Sequence, residues 1–583
     1  MRKRWRFHNH DPARIAALES RARIPPIVAQ LLLARGVTEP DAVEIFLNNK
    51  MTGLRDPDLL PGVSDAADRI YAAIRAKRRI VIYGDYDADG MTSTALLYSC
   101  LRLLHANVGY HVPNRFEEGY GLHEDAFRKL AQRDTSMIIS VDCGITSVHE
   151  AQIASQLGLE LIITDHHELS DTLPPAAAVV HPRLPGYLYP FGGLCGVGVA
   201  FKLAWAICQR ASDARRVSSH MRDFLMGAMG YAAIGTVADV VPLIDENRIL
   251  VHHGLNSLYR KPPPGIAALL DVTQLNNKPR LTSEDIGFTL APRLNAAGRL
   301  GQAQLGVELL ITEDPGRAKA LADYIHQLNS SRESLERSVL LAATKQIKER
   351  FDPENDPALV LAGRGWHPGV IGIVAGRLAE KHHRPVVLIA LDQADAKPAT
   401  GSARTAIGLD LHKTLSACGD RLISFGGHAA AAGLRIAEDQ MDAFRAEFCD
   451  YAACEIAEGD RVAEVRIDAE APLSQLTLQT LTQIEQLAPF GSGNPRPVLS
   501  ASSVVLGDEP RRIGGGERHM ATKISQHGIT MRSVAFGQGD WAEELAQLSG
   551  PIDIAYRPVI NEFRGRRNVE LHLVDWRLSG SNA

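Results

Sequence analysis

Short apolar runs separated by helix-like stretches recur through the first third of the chain, at Arg79–Gly84, Val108–Val112, Met137–Val141, Leu159–Thr164 and Ala177–Val180. Strands spaced in this way by helical patterns, such as that from Met91 to about Leu104, predict βαβ units around a mainly parallel sheet, the α/β class. A second α/β pattern begins at Leu359–Leu361, continues through a helix-like Gly369–Lys381 and a strand-like Pro385–Leu391, and reaches Gly401-Ser402-Ala403-Arg404. Between the two, Arg317–Phe351 has neither Gly nor Pro and helical composition, with a break expected at Asn329-Ser330-Ser331. Fully helical, it would extend ~50 Å, enough to hold two lobes apart around one extended strand. From Arg496 to Arg577 short β-like runs alternate with Gly-rich turns, the pattern of a small barrel.

Polar residues with chemical capacity fall where a parallel sheet collects its ligands, at the carboxyl ends of strands. The first run delivers Asp85, Asp87 and Asp89 in Asp85-Tyr86-Asp87-Ala88-Asp89-Gly90; Asp142 follows Val141, and Asp165-His166-His167 follows Ile163-Thr164. Asp239 ends the long apolar stretch Phe224–Ala238. Carboxylates this crowded repel one another unless a cation sits among them. A calcium hand opens with the same D-x-D-x-D-G, but needs a bidentate Glu at loop position twelve, where this chain has Leu96. Singly, each acid passes as a helix cap, and His252-His253 and His382-His383 show that paired histidines alone mean little. Jointly, five or six carboxylates with imidazole form the ligand set for two divalent ions.

Composition narrows the class without naming a substrate. At 583 residues the chain has length for three or more domains, and 45% hydrophobic with 22% charged residues is ordinary for a globular protein. Phe224–Ala238 is too short and Gly-broken to span a bilayer, and the basic start at Met1 lacks the apolar stretch of a secretory signal, so no membrane association and a cytoplasmic location are expected. Seven scattered cysteines without a C-x-x-C pair argue for reduced thiols and against a zinc knuckle. A formal net charge of −5 leaves any nucleic-acid binding to local basic patches.

Taken in order, Asp85–Gly90, Val141–Gly144, Asp165–His167 and the Asp239 segment resemble the four motifs of the DHH phosphoesterase superfamily. Gly426-Gly427-His428 with its following small-residue run to Gly433 resembles the signature of the DHH-associated domain, and Leu487–Pro495 the junction into the last domain of the family's single-strand-specific 5′→3′ DNA exonucleases. The resemblance implies residues 1–50 as an N-terminal helical extension, 51–315 as a parallel-sheet DHH catalytic domain and 316–352 as a connecting helix. It further implies 353–457 as a smaller α/β DHH-associated domain and 458–583 as an OB-fold nucleic-acid-binding barrel. It also implies two divalent cations, Mn²⁺ or Mg²⁺, with Asp85, Asp87, Asp89, Asp142, His166 and Asp239 as ligands or immediate supports and His167 at the scissile phosphate. Pyrophosphatase-like members carry a His before the first aspartates where this chain has Tyr83 and Asp85, which leaves open which carboxylate serves which ion. The nitrogen of His166 leans the set toward Mn²⁺.

Substrate contacts follow from donor chemistry. Ser402 and Arg404 form a plausible clamp for a terminal phosphate, since Arg gives two parallel donors and Gly401 permits close approach. Arg115, Arg293 and Arg299 are similar candidates, as are Gly427 and His428. In the barrel, Arg511, Arg512, Arg564, Arg566 and Arg567 with Phe563 offer charge and stacking to single-stranded DNA. Ordinary salt-bridged surface arginines are the plain alternative for each. Partners implied by resemblance are single-strand-binding protein and a RecQ-type helicase, with the chain itself a monomer. Two other functions stay open: a phosphoesterase on short oligonucleotides or cyclic dinucleotides, which leaves the barrel unexplained, and a non-catalytic replication scaffold, in which ligands would be replaced.

Overall fold

Strand-forming residues at the amino terminus make β1 (Arg4–Phe7), and everything that follows divides into two compact units of a computed structural model that describes residues 3–214, 216–352, 356–393, 397–456, 462–548, 550–563 and 565–580. The first unit comprises Asn9–Asn329 and Thr477–Pro497; the second comprises Met1–His8, Ser330–Leu476 and Val498–Ala583. The expected helical extension thus opens on a strand of the second unit before its helices Pro12–Ala22, Pro26–Leu33 and Pro40–Asn48.

The first unit is built on β2 (Ile80–Gly84), β3 (Val108–His111), β4 (Met137–Val141), β5 (Glu160–Thr164) and β6 (Ala178–Val180), all parallel in the order β3-β2-β4-β5-β6. Continuous apolar runs suit strands covered on both faces. Ile80, Ile82 and Ile139 pack with helices Val63–Arg75, Ala88–Leu103 and Gly196–Ser212 on one side, while Val81, Tyr83 and Ile138 pack with Phe127, Leu130 and Ala151 on the other. Register then fixes the site: Gly84 pairs with Val141, Val141 with Thr164 and Thr164 with Val180, so the residues after β2, β4 and β5 stand abreast, about 4.8 Å from one strand to the next. The chain leaves β2 for β3 on one side and returns to β4 on the other, a reversal that opens a crevice at the carboxyl ends.

The long helix is continuous over Pro315–Arg350, 36 residues, with no break at Asn329-Ser330-Ser331. Ser334 donates its hydroxyl to the Ser330 carbonyl 3.0 Å away, one turn back, so a polar patch is absorbed within the helix.

In the second unit β7 (Leu359–Arg364), β8 (Val386–Leu391), β9 (Ala399–Arg404), β10 (Leu422–Gly427) and β11 (Ala431–Ile436) form a mixed sheet in the order β10-β11-β9-β8-β7. Leu359, Leu361 and Leu388 face helix Pro368–His382, whereas Val360, Val387 and Ile389 face Phe444 and Phe448 of helix Met441–Glu455. After β12 (Glu464–Ile467), which pairs with β1, and β13 (Ala469–Glu470), the remaining strands are β14 (Leu499–Leu506), β15 (Arg511–Ile513), β16 (His519–Gln526), β17 (Ile529–Ala535), β18 (Ile552–Phe563) and β19 (Arg566–Leu578). The path β14-β18-β19-β17-β16 closes on itself because Val505 and Leu506 of β14 pair with Ser525 and Ile524 of β16, giving a five-stranded barrel. Among the described residues no helix is long and apolar enough to cross a membrane.

Candidate metal centre and phosphate-binding residues

Asp87 ends the turn after β2 and caps the next helix, accepting from the backbone N–H groups of Asp89 (2.9 Å) and Gly90 (3.0 Å). Gly90 is required here, because a Cβ would stand 2.6 Å from the Asp85 carbonyl oxygen. Asp89 consequently lies in the first helical turn rather than in a loop with the other two acids, and both its oxygens are engaged: Oδ2 accepts from Gly196 N (2.7 Å) and Oδ1 from Val197 N (2.8 Å) at the start of helix Gly196–Ser212. That same helix start closes on Asp142, since a Cβ at Gly196 would sit 2.5 Å from Asp142 Oδ1. Asp142 leaves β4 with φ +62° and is buried. Asp239 comes not from a strand end but from the carboxyl end of helix Ser219–Ala238, as its C-cap; a run apolar on all sides is a buried helix here, which the missing periodicity concealed.

These elements bring the acids and one imidazole together. Asp85, Asp87 and Asp142 each offer an oxygen within 4.8 Å of the others, as do the ligand atoms of Asp89, His166 and Asp239. His166 Nε2 stands 3.1 Å from Asp142 Oδ1, 3.6 Å from Asp239 Oδ2 and 3.9 Å from Asp89 Oδ2. Asp85 Oδ1, Asp142 Oδ1 and His166 Nε2 are buried with no hydrogen-bond partner. Burial first, and then the neighbouring carboxylates, push Asp85 and Asp142 well above the usual carboxylate range, Asp89 to about 7 and Asp239 to about 8. Burial and the adjoining His167 push His166 down to about 3, so it presents a neutral nitrogen. Crowded carboxyl oxygens and a neutral imidazole, left without partners in the interior, fit a divalent cation site.

Asp165, not singled out as a site residue from the sequence, does different work. Its Oδ1 accepts from His166 N (2.7 Å), His167 N (3.2 Å) and His167 Nδ1 (2.7 Å), and its Oδ2 from Ile145 N (2.9 Å). Burial, the largest single influence, opposes its charge, but the His167 hydrogen bond and charge together with the Ile145 N–H outweigh it and hold Asp165 at about 2. For His167, burial likewise disfavours charge while Asp165 prevails and raises it to about 9, so the ring is an imidazolium at neutral pH. Tyr120 places its hydroxyl 3.2 Å from His167 Nδ1, and Asn295 Oδ1 accepts from Ala88 N (2.8 Å), steadying the turn after Asp87. Neither is visible in the chain pattern, since each meets the motif from over 40 residues away.

Arg115 stacks over Tyr86, 5.0 Å from the ring centroid, and its charge reaches Asp85. Arg299 closes helix Ala291–Arg299, and its charge acts on Tyr86; the preceding Gly298 lies so near Tyr86 that a Cβ would meet the Tyr86 carbonyl oxygen at 2.0 Å. Both arginines therefore stand at the acidic turn. Arg293 donates to Thr289 O (2.7 Å) and His326 Nδ1 (3.1 Å), tying its own helix to the long one.

In the second unit, Ser402 and Arg404 project from the same face of β9, over which helix Pro368–His382 packs closely enough that a Cβ on Gly372 would be 2.8 Å from an Arg404 guanidinium nitrogen and 3.4 Å from Ser402 Oγ. Gly427, at φ +133°, and the exposed His428 form the turn joining β10 to β11. Since Ala431 of β11 pairs with Arg404 and Gly433 with Ser402, all four candidates gather at one corner of this sheet. In the barrel Arg512 is bound by Asp540 and Glu543, each at 2.9 Å, the plain surface outcome, while Arg511, Arg566 and Arg567 are exposed. Arg564 and the side chain of Phe563 lie outside the described residues.

Comparison with known proteins places this geometry. Family models match in order: the DHH family N-terminal domain over residues 79–229, the DHHA1 domain over 355–453 and the RecJ OB domain over 467–575. The single-stranded-DNA-specific exonuclease RecJ of Bacillus subtilis is 38% identical over 99% of this chain and 71% of that protein. The crystal structure of Thermus thermophilus RecJ in complex with Mn²⁺ superposes with a TM-score of 0.82 at 32% identity, covering 100% of this chain and 81% of that one. The complex with Mg²⁺ gives 0.78 at 31%, covering 99% and 79%. With relatives of this identity aligned along nearly its whole length, the chain belongs to the RecJ family.

Proposed function

We propose that this chain is a single-stranded-DNA-specific 5′→3′ exonuclease that releases 5′-mononucleotides by phosphodiester hydrolysis. The observation that carries the reading is the meeting of three buried ligand atoms that make no hydrogen bond, on Asp85, Asp142 and His166, at the reversal of a parallel sheet. Asp85, Asp87, Asp142, His166 and Asp239 would hold a pair of divalent cations, Mn²⁺ or Mg²⁺, with Asp89 supporting them while it anchors the Gly196 helix start. When bound, such a pair supplies a nucleophilic water at neutral pH and offsets charge on the phosphate oxygens.

The chain's own residues do the rest. His167, charged and oriented by Asp165, donates to the scissile phosphate, whose developing negative charge a fixed imidazolium stabilises. Arg115 and Arg299 attract the strand's backbone at the acidic turn. Ser402, Arg404, Gly427 and His428 hold the 5′-terminal phosphate, which sets polarity by fixing which end is counted from. The barrel adds stacking and charge along the strand. Action in DNA repair and recombination, beside single-strand-binding protein and a RecQ-type helicase, is part of this proposal, as is catalysis by a monomer.

The test uses Mn²⁺ and an oligonucleotide labelled at either end, single-stranded or annealed. Ordered release of mononucleotides from the 5′ end of the single strand, with the duplex resistant, is expected. Release from the 3′ end, or equal attack on duplex, would overturn the assignment.

A further inference from the structure

Asp239 is held by a different stretch of sequence from the sheet that carries the other acids. The residue after it, Val240, is β-branched yet sits at φ +60°, a strained conformation that persists only where surroundings hold it. Just beyond it the chain meets the segment Leu487–Asn494, from the stretch preceding the barrel, which folds into the first unit. Ser492 O accepts from Leu243 N (2.8 Å). Gly493, at φ +68°, lies against Pro242, where a Cβ would be 2.9 Å from Pro242 Cβ and 3.2 Å from its Cα.

The segment is itself clamped. Asn494 Nδ2 donates to Leu487 O and Pro489 O, both at 2.8 Å, and its Oδ1 accepts from Arg35 Nε (2.7 Å). Buried Arg248 donates to Leu487 O (2.9 Å) and Ala488 O (2.8 Å) at the carboxyl end of the Leu478–Leu487 helical stretch. On the other side of the turn, Asn247 Nδ2 links Pro242 O (3.0 Å) to Gly193 O (2.6 Å), just ahead of the Gly196 helix start that meets Asp89 and Asp142. We infer that Gly493 and Asn494 are positioning residues: through Pro242 and Leu243 they fix where Asp239 stands among the other ligands. This rests on the proposed reading of Asp239 as a cation-holding residue.

The experiment compares full-length Gly493→Ala and Asn494→Ala with Asp239→Ala, and with Tyr556→Phe, which removes a barrel hydrogen bond to Ala471 O (2.7 Å). Mn²⁺ affinity is read from the spin-resonance signal of free Mn²⁺, without reference to activity. Expected are a roughly tenfold weaker Mn²⁺ affinity and a comparable fall in kcat with unchanged KM for a single strand, the scale set by groups that orient metal ligands. Amide exchange at Val240, Val241 and Leu243 should quicken in both variants, whereas Tyr556→Phe lowers Tm without changing Mn²⁺ affinity. If Asp239→Ala weakens Mn²⁺ binding while Gly493→Ala and Asn494→Ala bind as wild type does, the positioning role is overturned and the site stands. If Asp239→Ala itself binds Mn²⁺ normally, the reading of the centre fails first. Should Asn494→Ala fold poorly, Gly493→Ala decides, since it deletes no hydrogen bond.

Discussion

Asp142 shows how one residue carries both cost and use. Its carboxyl is buried against Asp89, Asp87 and Asp239, with no hydrogen bond at Oδ1, an arrangement that penalises its charge unless a cation is present. Asp142→Ala should therefore leave Tm of the cation-free protein unchanged or higher while lowering turnover by at least about a hundredfold, as loss of a cation ligand would. Near-normal turnover by the folded variant would remove Asp142 from the centre, and His166→Ala is expected to behave alike. His167 supplies the pH dependence. Burial alone would lower it, but Asp165 raises it to about 9. A raised folded value means that the imidazolium's contribution to stability is full below about 6.5 and lost as pH rises through 9; the depressed Asp165 contributes above about 4 and loses it as pH falls through 2. Asp165→Asn removes the larger upward influences and leaves burial opposed by the charges of Asp239 and Asp85. The alkaline limb of kcat should then move down from near pH 9. An unmoved limb in that variant would mean that another group, not His167, sets it.

At the scale of elements, the chain pattern discloses what is local and conceals what is assembled. The five parallel strands are visible because each is a short apolar run, and Asp85, Asp87, Asp142, His166 and His167 are visible because they follow those runs directly. Asp239 is visible as a residue but not in its setting, since a buried helix and a buried strand share a featureless apolar run. Asp89 misleads in the opposite way: the acidic turn looks like one loop, yet the helix starts inside it and turns that carboxylate toward a second helix more than 100 residues on. Gly196 is the least legible. In the chain it reads as a small residue between Cys195 and Val197; in space it is the point where a helix start touches Asp142. Gly196→Ala puts a methyl 2.5–2.6 Å from the Asp142 carboxyl, so either the helix or the carboxylate must shift. Because a displacement near 1 Å can cost about a hundredfold in rate, kcat should fall on that order while far-UV circular dichroism stays native. A variant that keeps wild-type kcat and Mn²⁺ affinity would mean the carboxylate's position is not critical.

Across the whole molecule, the acidic balance of −5 is set against a substrate that is a polyanion, so affinity depends on a few placed cations rather than on bulk charge. That makes salt dependence a count of contacts. For single strands, log K falls with log salt by about 0.7 per phosphate neutralised. If Arg404 grips the terminal phosphate at the β9 corner with Ser402, Arg404→Ala should reduce this slope by about 0.7 and raise KM roughly tenfold for a 5′-phosphorylated strand, the scale of one charge-assisted hydrogen-bond pair. Single-turnover cleavage at saturating DNA should stay close to wild type, because the chemistry belongs to the first unit's acids. The same substitution tested on a strand with a 5′-hydroxyl should cost far less, since the group it contacts is gone. A slope that does not change would show that Arg404 neutralises no phosphate, and a loss confined to the single-turnover rate would show that it acts on chemistry instead. An equal loss for phosphorylated and hydroxyl ends would move the contact from the terminus to the interior of the strand, and polarity would then need another source than this corner.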